Sequence, residues 1–126
     1  MKSLLLVALG GAVGSVARYG LSTLVMGYAG GARFPAGTFV VNVLGCFVAG
    51  VLAHVATRHE WFTQDLRLLL FTGLLGGFTT FSAFGLETVY LMKRGDFGIA
   101  AANVVLSVAA GLAALWLGLG LAARAS

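Results

Sequence analysis

The chain has 126 residues, 60% of them hydrophobic and only 10% charged, with eight Lys and Arg against four Asp and Glu. A soluble domain of this size needs a charged coat that so few ionisable side chains cannot supply, which excludes an ordinary soluble fold. Mean hydropathy of +0.99, with 19 glycines and one proline, places the chain in a bilayer, where glycine lets helices approach closely.

Hydrocarbon about 30 Å thick requires roughly 20 apolar residues per helix. Four segments qualify: Leu4–Met26, Gly37–Ala56, Leu68–Met92 and Ile99–Ala123. The expected fold is therefore an all-α membrane protein, one domain of four transmembrane helices. The connections GYAGGARFPA, TRHEWFTQD and KRGDF are short, as antiparallel neighbours require. Tyr28, Phe34, Trp61, Phe62 and Phe97 flank the spans, where amphipathic rings favour the interface.

The first segment opens as MKSLLLVALGGAVGSVA, which also has the outline of a cleavable leader: a basic first turn, an apolar stretch and a small-x-small ending. Apolar character resumes after Arg18 as YGLSTLVMGYAG, however, and completes a span. Arg18 falls roughly 21 Å along it at 1.5 Å per residue. The second segment carries Thr38 and Asn42 in its first two turns, and the lone Cys46 among apolar neighbours as a small packing residue. The third contains GGFTTFSAF, Gly76 to Phe84, and then Glu87. Two glycines followed by hydroxyl side chains predict that the backbone leaves the helix at Gly76–Thr79, near the middle of the span. The fourth opens with Asn103 and Ser107.

Four spans put both termini on one side. Lys2, Arg58, Arg67 and Arg124 fall there, and Arg18, Arg33, Lys93 and Arg94 fall towards the other. Loop Lys and Arg bias sets orientation, so an even split predicts insertion both ways up and an antiparallel pair. The polar groups give the same answer. Arg18, Thr38, Asn42, Ser82, Glu87, Asn103 and Ser107 all lie in one half of the subunit, and an inverted second copy would complete the crossing. Enzyme chemistry is not expected: there is no Ser/His/Asp, Cys/His or metal-ligand cluster, and no basic cluster suited to nucleic acid.

Three stretches together, GAVGSVAR (Gly11–Arg18), GTFVVNVLG (Gly37–Gly45) and GGFTTFSAF, resemble the Fluc (CrcB-type) fluoride channel family across all four spans. The resemblance implies a dual-topology homodimer in the cell inner (plasma) membrane, surrounded by lipid. Two parallel pores would pass fluoride ion down its gradient, around a structural Na+ at the dimer centre. Asn42 matches the family's pore asparagine, and Phe81 and Phe84 match the pair of rings that line the fluoride route. Gly76 and Thr79 match the residues whose carbonyls, from both subunits, hold the sodium. Thr38, Thr80, Ser82, Glu87 and Ser107 fall at pore-side polar positions, and Arg18 matches the first-helix arginine, at the vestibule. Asn103 is expected on the same pore-side track, where it departs from the pattern, in which some members carry tyrosine.

These residue types suit the ions. A broken helix frees carbonyls that can coordinate a cation, and two per chain make a four-oxygen cage in an inverted dimer. Fluoride is strongly hydrated, so a pore must replace water with donors such as the Asn42 NH₂. Phe81 and Phe84, at i and i+3, share a helix face and present the positive edges of their rings. A narrow passage rejects chloride by size, and weak fixed charge lets the ion leave. The rival reading is a dual-topology, small multidrug-type cation exporter. Such an exporter needs a carboxylate deep in the first helix, which has none, and Arg18 would repel a cation.

Overall fold

The computed structural model describes residues 1–125 of the chain. Four stretches among them are long and apolar enough to cross a membrane: Lys2–Ala29, Ala36–Arg58, Gln64–Lys93 and Phe97–Ala125. Each runs beyond the apolar core expected from hydropathy, because polar residues at the ends continue the helix outside the hydrocarbon. The first, α1 (Lys2–Ala29), ends where Gly30 turns left-handed at φ 51° and returns its N–H to Met26 O. The second, α2 (Ala36–Arg58), starts directly after Pro35 and runs back.

The third span is composite. Gln64–Arg67 starts it, capped by the Thr63 hydroxyl, which accepts from Leu66 N–H. Leu68–Leu75 winds as a π-helix, and Gly76–Phe78 closes in α geometry; together these form α3 (64–78). After two extended residues the span resumes as α4 (Phe81–Lys93). A turn through Gly95, at φ 85°, leads to α5 (Phe97–Ala125).

The expected break is present but lies later than predicted. Gly76 is helical at φ −61°, ψ −38°, while Thr79 (φ −89°, ψ 156°) and Thr80 (φ −150°, ψ 117°) are extended. Gly77 serves packing instead. A Cβ on Gly77 would lie 2.6 Å from Gly11 O, and one on Gly14 would collide with the Leu74 carbonyl. The Gly10–Gly14 face of α1 thus meets the Gly73–Gly77 face of α3 backbone to backbone, the close approach that small residues permit in membranes. A second such seam joins α2 to α5, where a Cβ on Gly50 would strike the Leu115 carbonyl and one on Gly118 the Phe47 carbonyl.

Ion pairs and capping contacts identify the two ends. Lys2 pairs with Asp65 at 2.7 Å, and Arg67 Nη2 donates to Ala56 O at 3.2 Å, so the N-terminus and the middle loop share one end. Arg33 pairs with Asp96 at 3.1 Å and joins the first and third loops at the other. Phe62, expected at the interface, is instead buried (6% exposed), packed near Phe71 with the Arg67 guanidinium over its ring. Large side chains such as Val16, Leu112 and Trp116 point outward, as in a chain whose outer solvent is lipid.

Candidate functional site

The break between α3 and α4 organises the site, and side chains from two other helices satisfy its backbone. In a continuous helix Thr80 N–H would return to Gly76 O. Here it donates to Asn42 Oδ1 at 2.8 Å, while Asn42 Nδ2 donates to Thr80 O at 3.0 Å. One amide from α2 therefore clamps both polar groups of one residue. The Thr80 hydroxyl accepts from Ala83 N–H at 3.1 Å, the N-cap that restarts the helix, and lies 3.2 Å from the Ser82 hydroxyl. On the upstream side Thr79 returns both its N–H (2.9 Å) and its hydroxyl (2.8 Å) to Leu75 O. Arg18 Nε, from α1, donates to Gly77 O at 3.0 Å.

Two recesses border this knot, and a third lies towards one end of the subunit. A groove of about 420 Å³ is lined by Asn42, Cys46, Gly76, Thr79, Thr80 and Phe81. Thr80 also lines a cavity of about 220 Å³ with Arg18, Ser22, Thr23 and Thr38. A third recess, about 250 Å³, lies at the end that holds the Arg33–Asp96 pair and is lined by Arg33, Glu87, Tyr90 and Arg94. Glu87 bridges towards the second cavity, because its carboxyl lies beside the buried Thr38 hydroxyl. Its Oε1 is buried with no hydrogen-bond partner among the described residues. Phe81 is 84% exposed, its ring 5.5 Å from that of Phe84 and tilted by 44°.

The structure thus brings together Asn42, Gly76, Thr79, Thr80 and Phe81, with Ser82, Phe84, Arg18, Thr38 and Glu87 around them. It does not bring Asn103 and Ser107 into that group. Asn103 is buried between α4 and α5, donates to the Thr88 hydroxyl at 2.9 Å, and accepts from the Ser107 hydroxyl at 3.2 Å. Thr88 in turn donates to Phe84 O at 2.7 Å, so this ladder ends on the backbone of Phe84. Arg18 was expected towards the loop side of the sidedness count. Its bond to the break places it inside the span, which leaves Arg33, Lys93 and Arg94 at that end against Lys2, Arg58, Arg67 and Arg124 at the other. Sequence reasoning missed the target of Arg18. The signal was the spacing Gly10, Gly14, Arg18, which sets all three on one face of α1.

Residues 5–119 match the family described as CrcB-like protein, Camphor Resistance (CrcB). The chain belongs to the CrcB family. A CrcB-family relative from Methylobacillus flagellatus, named fluoride-specific ion channel FluC, is 56% identical over 118 residues, covering 94% of this chain and 92% of that protein. A protein of the same name from Rhizobium etli is 49% identical over 119 residues, 94% of each chain. Another, from Geobacter sulfurreducens, is 48% identical over 124 residues, 98% of each. These CrcB-family relatives carry the name of a channel, not of an enzyme.

Proposed function

We propose that this protein is a passive, fluoride-selective channel of the cell inner (plasma) membrane, working as an antiparallel homodimer with two pores. The observation that carries the reading is the clamped break: extended Thr79–Thr80 in the middle of the third span, held by Asn42 beside the exposed Phe81. Irregular backbone at membrane depth persists only where protein or a water-filled cavity covers it. A groove with Gly76 and Thr79 in its wall, open on one subunit, calls for such a cover, and an inverted second copy supplies it. The nearly even loop charges favour neither orientation, and the relatives named as fluoride channels support the choice of ion.

The same backbone fits a sodium ion at the dimer centre. Gly76 O has lost its intrahelical donor to the Asn42 clamp, and a Cβ on Gly76 would meet nothing closer than Phe71 O at 3.6 Å, so its surroundings are open. Hard cations take oxygen ligands, and Gly76 and Thr79 would each offer a carbonyl from each copy. Sodium bound there supplies fixed positive charge between the two pores.

In this reading fluoride enters the cavity lined by Arg18, Ser22, Thr23 and Thr38, where hydroxyl and guanidinium donors stand in for water. It then passes the Thr80 and Ser82 hydroxyls, the Asn42 hydrogen not engaged by Thr80, and the ring edges of Phe81 and Phe84. Glu87 lines the way to the recess with Arg33 and Arg94, where its unpartnered oxygen meets the water that travels with the ion. Asn103 and Ser107 back the outer wall of the route. The test is efflux from liposomes holding the purified protein. Fast fluoride release without a proton gradient, and little chloride release, is the expected result; chloride flux as fast as fluoride overturns the proposal. The exporter alternative gains nothing from the structure, since α1 brings an arginine to the centre and no carboxylate.

A further inference from the structure

Gly77 O belongs to the last turn before the break. A continued helix would give it the Phe81 N–H, but extended Thr79–Thr80 carries that donor away. Arg18 Nε occupies the vacated role at 3.0 Å. The approach of α1 is built for it: Gly10, Gly14 and Arg18 recur every four residues, so they share a face. The two glycines press α1 onto the Leu69 and Leu74 carbonyls, and the third member of the row delivers a guanidinium to Gly77.

We infer that Arg18 is a positioning residue: its Nε–H replaces the intrahelical hydrogen bond that the break removes, and so fixes Gly77 O and the flanking Gly76 and Thr79 carbonyls against α1. Asn42 holds the break from its downstream side and Arg18 from its upstream side. This differs from an arginine that serves only as a positive charge for anions, because it depends on one atom of the side chain. Lysine at this position would keep the charge but set a methylene where the Nε–H stands.

Gly77–Phe78 is the only Gly–Phe step in the sequence. Protein made with carbonyl-¹³C glycine and ¹⁵N phenylalanine therefore gives one coupled NMR signal, which reads the Gly77 carbonyl alone. Arg18→Met and Arg18→Lys both move that carbonyl upfield, the direction of a lost hydrogen bond. Gly14→Ala does the same with Arg18 intact, by lifting α1 away, and adding Arg18→Met to Gly14→Ala moves it no further. Carbonyl-¹³C threonine labelling with the same ¹⁵N phenylalanine gives two signals, Thr38–Phe39 and Thr80–Phe81, which loss of one in Thr38→Ser tells apart, and the Thr80 signal stays in place when the fold is kept. An unmoved Gly77 signal in Arg18→Lys, the milder variant, overturns the inference.

The functional arm rests on the channel reading. Fluoride flux falls by about tenfold or more in Arg18→Lys, as for loss of one hydrogen bond to a charged donor. A shifted carbonyl with undiminished flux also overturns the positioning role. If the unmodified protein passes no fluoride, the channel reading fails while the carbonyl signal still decides the bond.

Discussion

Replacing Asn42 by alanine removes two hydrogen bonds at once, the 3.0 Å bond to Thr80 O and the 2.8 Å bond from Thr80 N–H. Orphaning a buried backbone group costs about 1–3 kcal/mol in a dry interior. Thr80 is only half-buried and borders two recesses, so the smaller membrane figure applies, about 0.6 and at most about 1.7 kcal/mol per bond. Asn42→Ala is therefore expected to lose about 1–3 kcal/mol of stability, read as an earlier midpoint when the protein is unfolded by SDS in mixed detergent micelles. Fluoride flux falls with it. Asn42→Asp gives no rescue: one oxygen still accepts from Thr80 N–H, but the other faces Thr80 O with no hydrogen between them, and a charge has been added at depth. Unchanged stability in Asn42→Ala would mean that the amide does not hold the break. Loss of flux at full stability would mean that Asn42 serves the ion alone.

Phe81→Ile is expected to stop fluoride flux nearly completely while the protein still assembles, since the exposed ring contributes little to the fold of one subunit; flux unchanged in liposomes would remove the rings from the route. Purification with a bulky organic cation in place of sodium lowers fluoride flux, and returning sodium restores it; indifference to sodium would discard the carbonyl site. Asn103→Leu breaks the ladder between α4 and α5 and lowers stability by about 1–2 kcal/mol while keeping the preference for fluoride over chloride; lost selectivity would place Asn103 in the pore.

The four spans were legible because hydrocarbon imposes a length and a composition that a sequence displays directly. The break was legible in kind but not in place. Gly76 and Gly77 look like a point of departure when only conformational freedom is considered, yet Gly77, in register with Gly11, belongs to a contact surface, and Gly76 stays helical with open surroundings. The hydroxyls beside them carry the change of direction: the Thr80 side chain caps the restarted helix and its backbone goes to Asn42. Depth arithmetic set Asn42 and Arg18 in the correct half of the subunit. It could not assign Gly77 O to Arg18, because a carbonyl that accepts across 59 residues leaves no mark in composition. Asn103 and Ser107 shared that half too, yet they face a neighbouring helix, and depth alone carries no azimuth.

The π winding of Leu68–Leu75 has a consequence for how this span tolerates length change. Its wide turns, seen where Gly76 N–H reaches back to Phe71 O, hold surplus chain relative to an ordinary α-helix. Excising one residue there would let the stretch tighten towards ordinary α winding, and that tightening would absorb most of the loss. The threonine pair would keep its aim at Asn42, where the same deletion in an unrelieved α-helix would swing everything downstream by about 100° around the axis. An over-wide coil upstream is a reserve of angular phase for the knot that follows it.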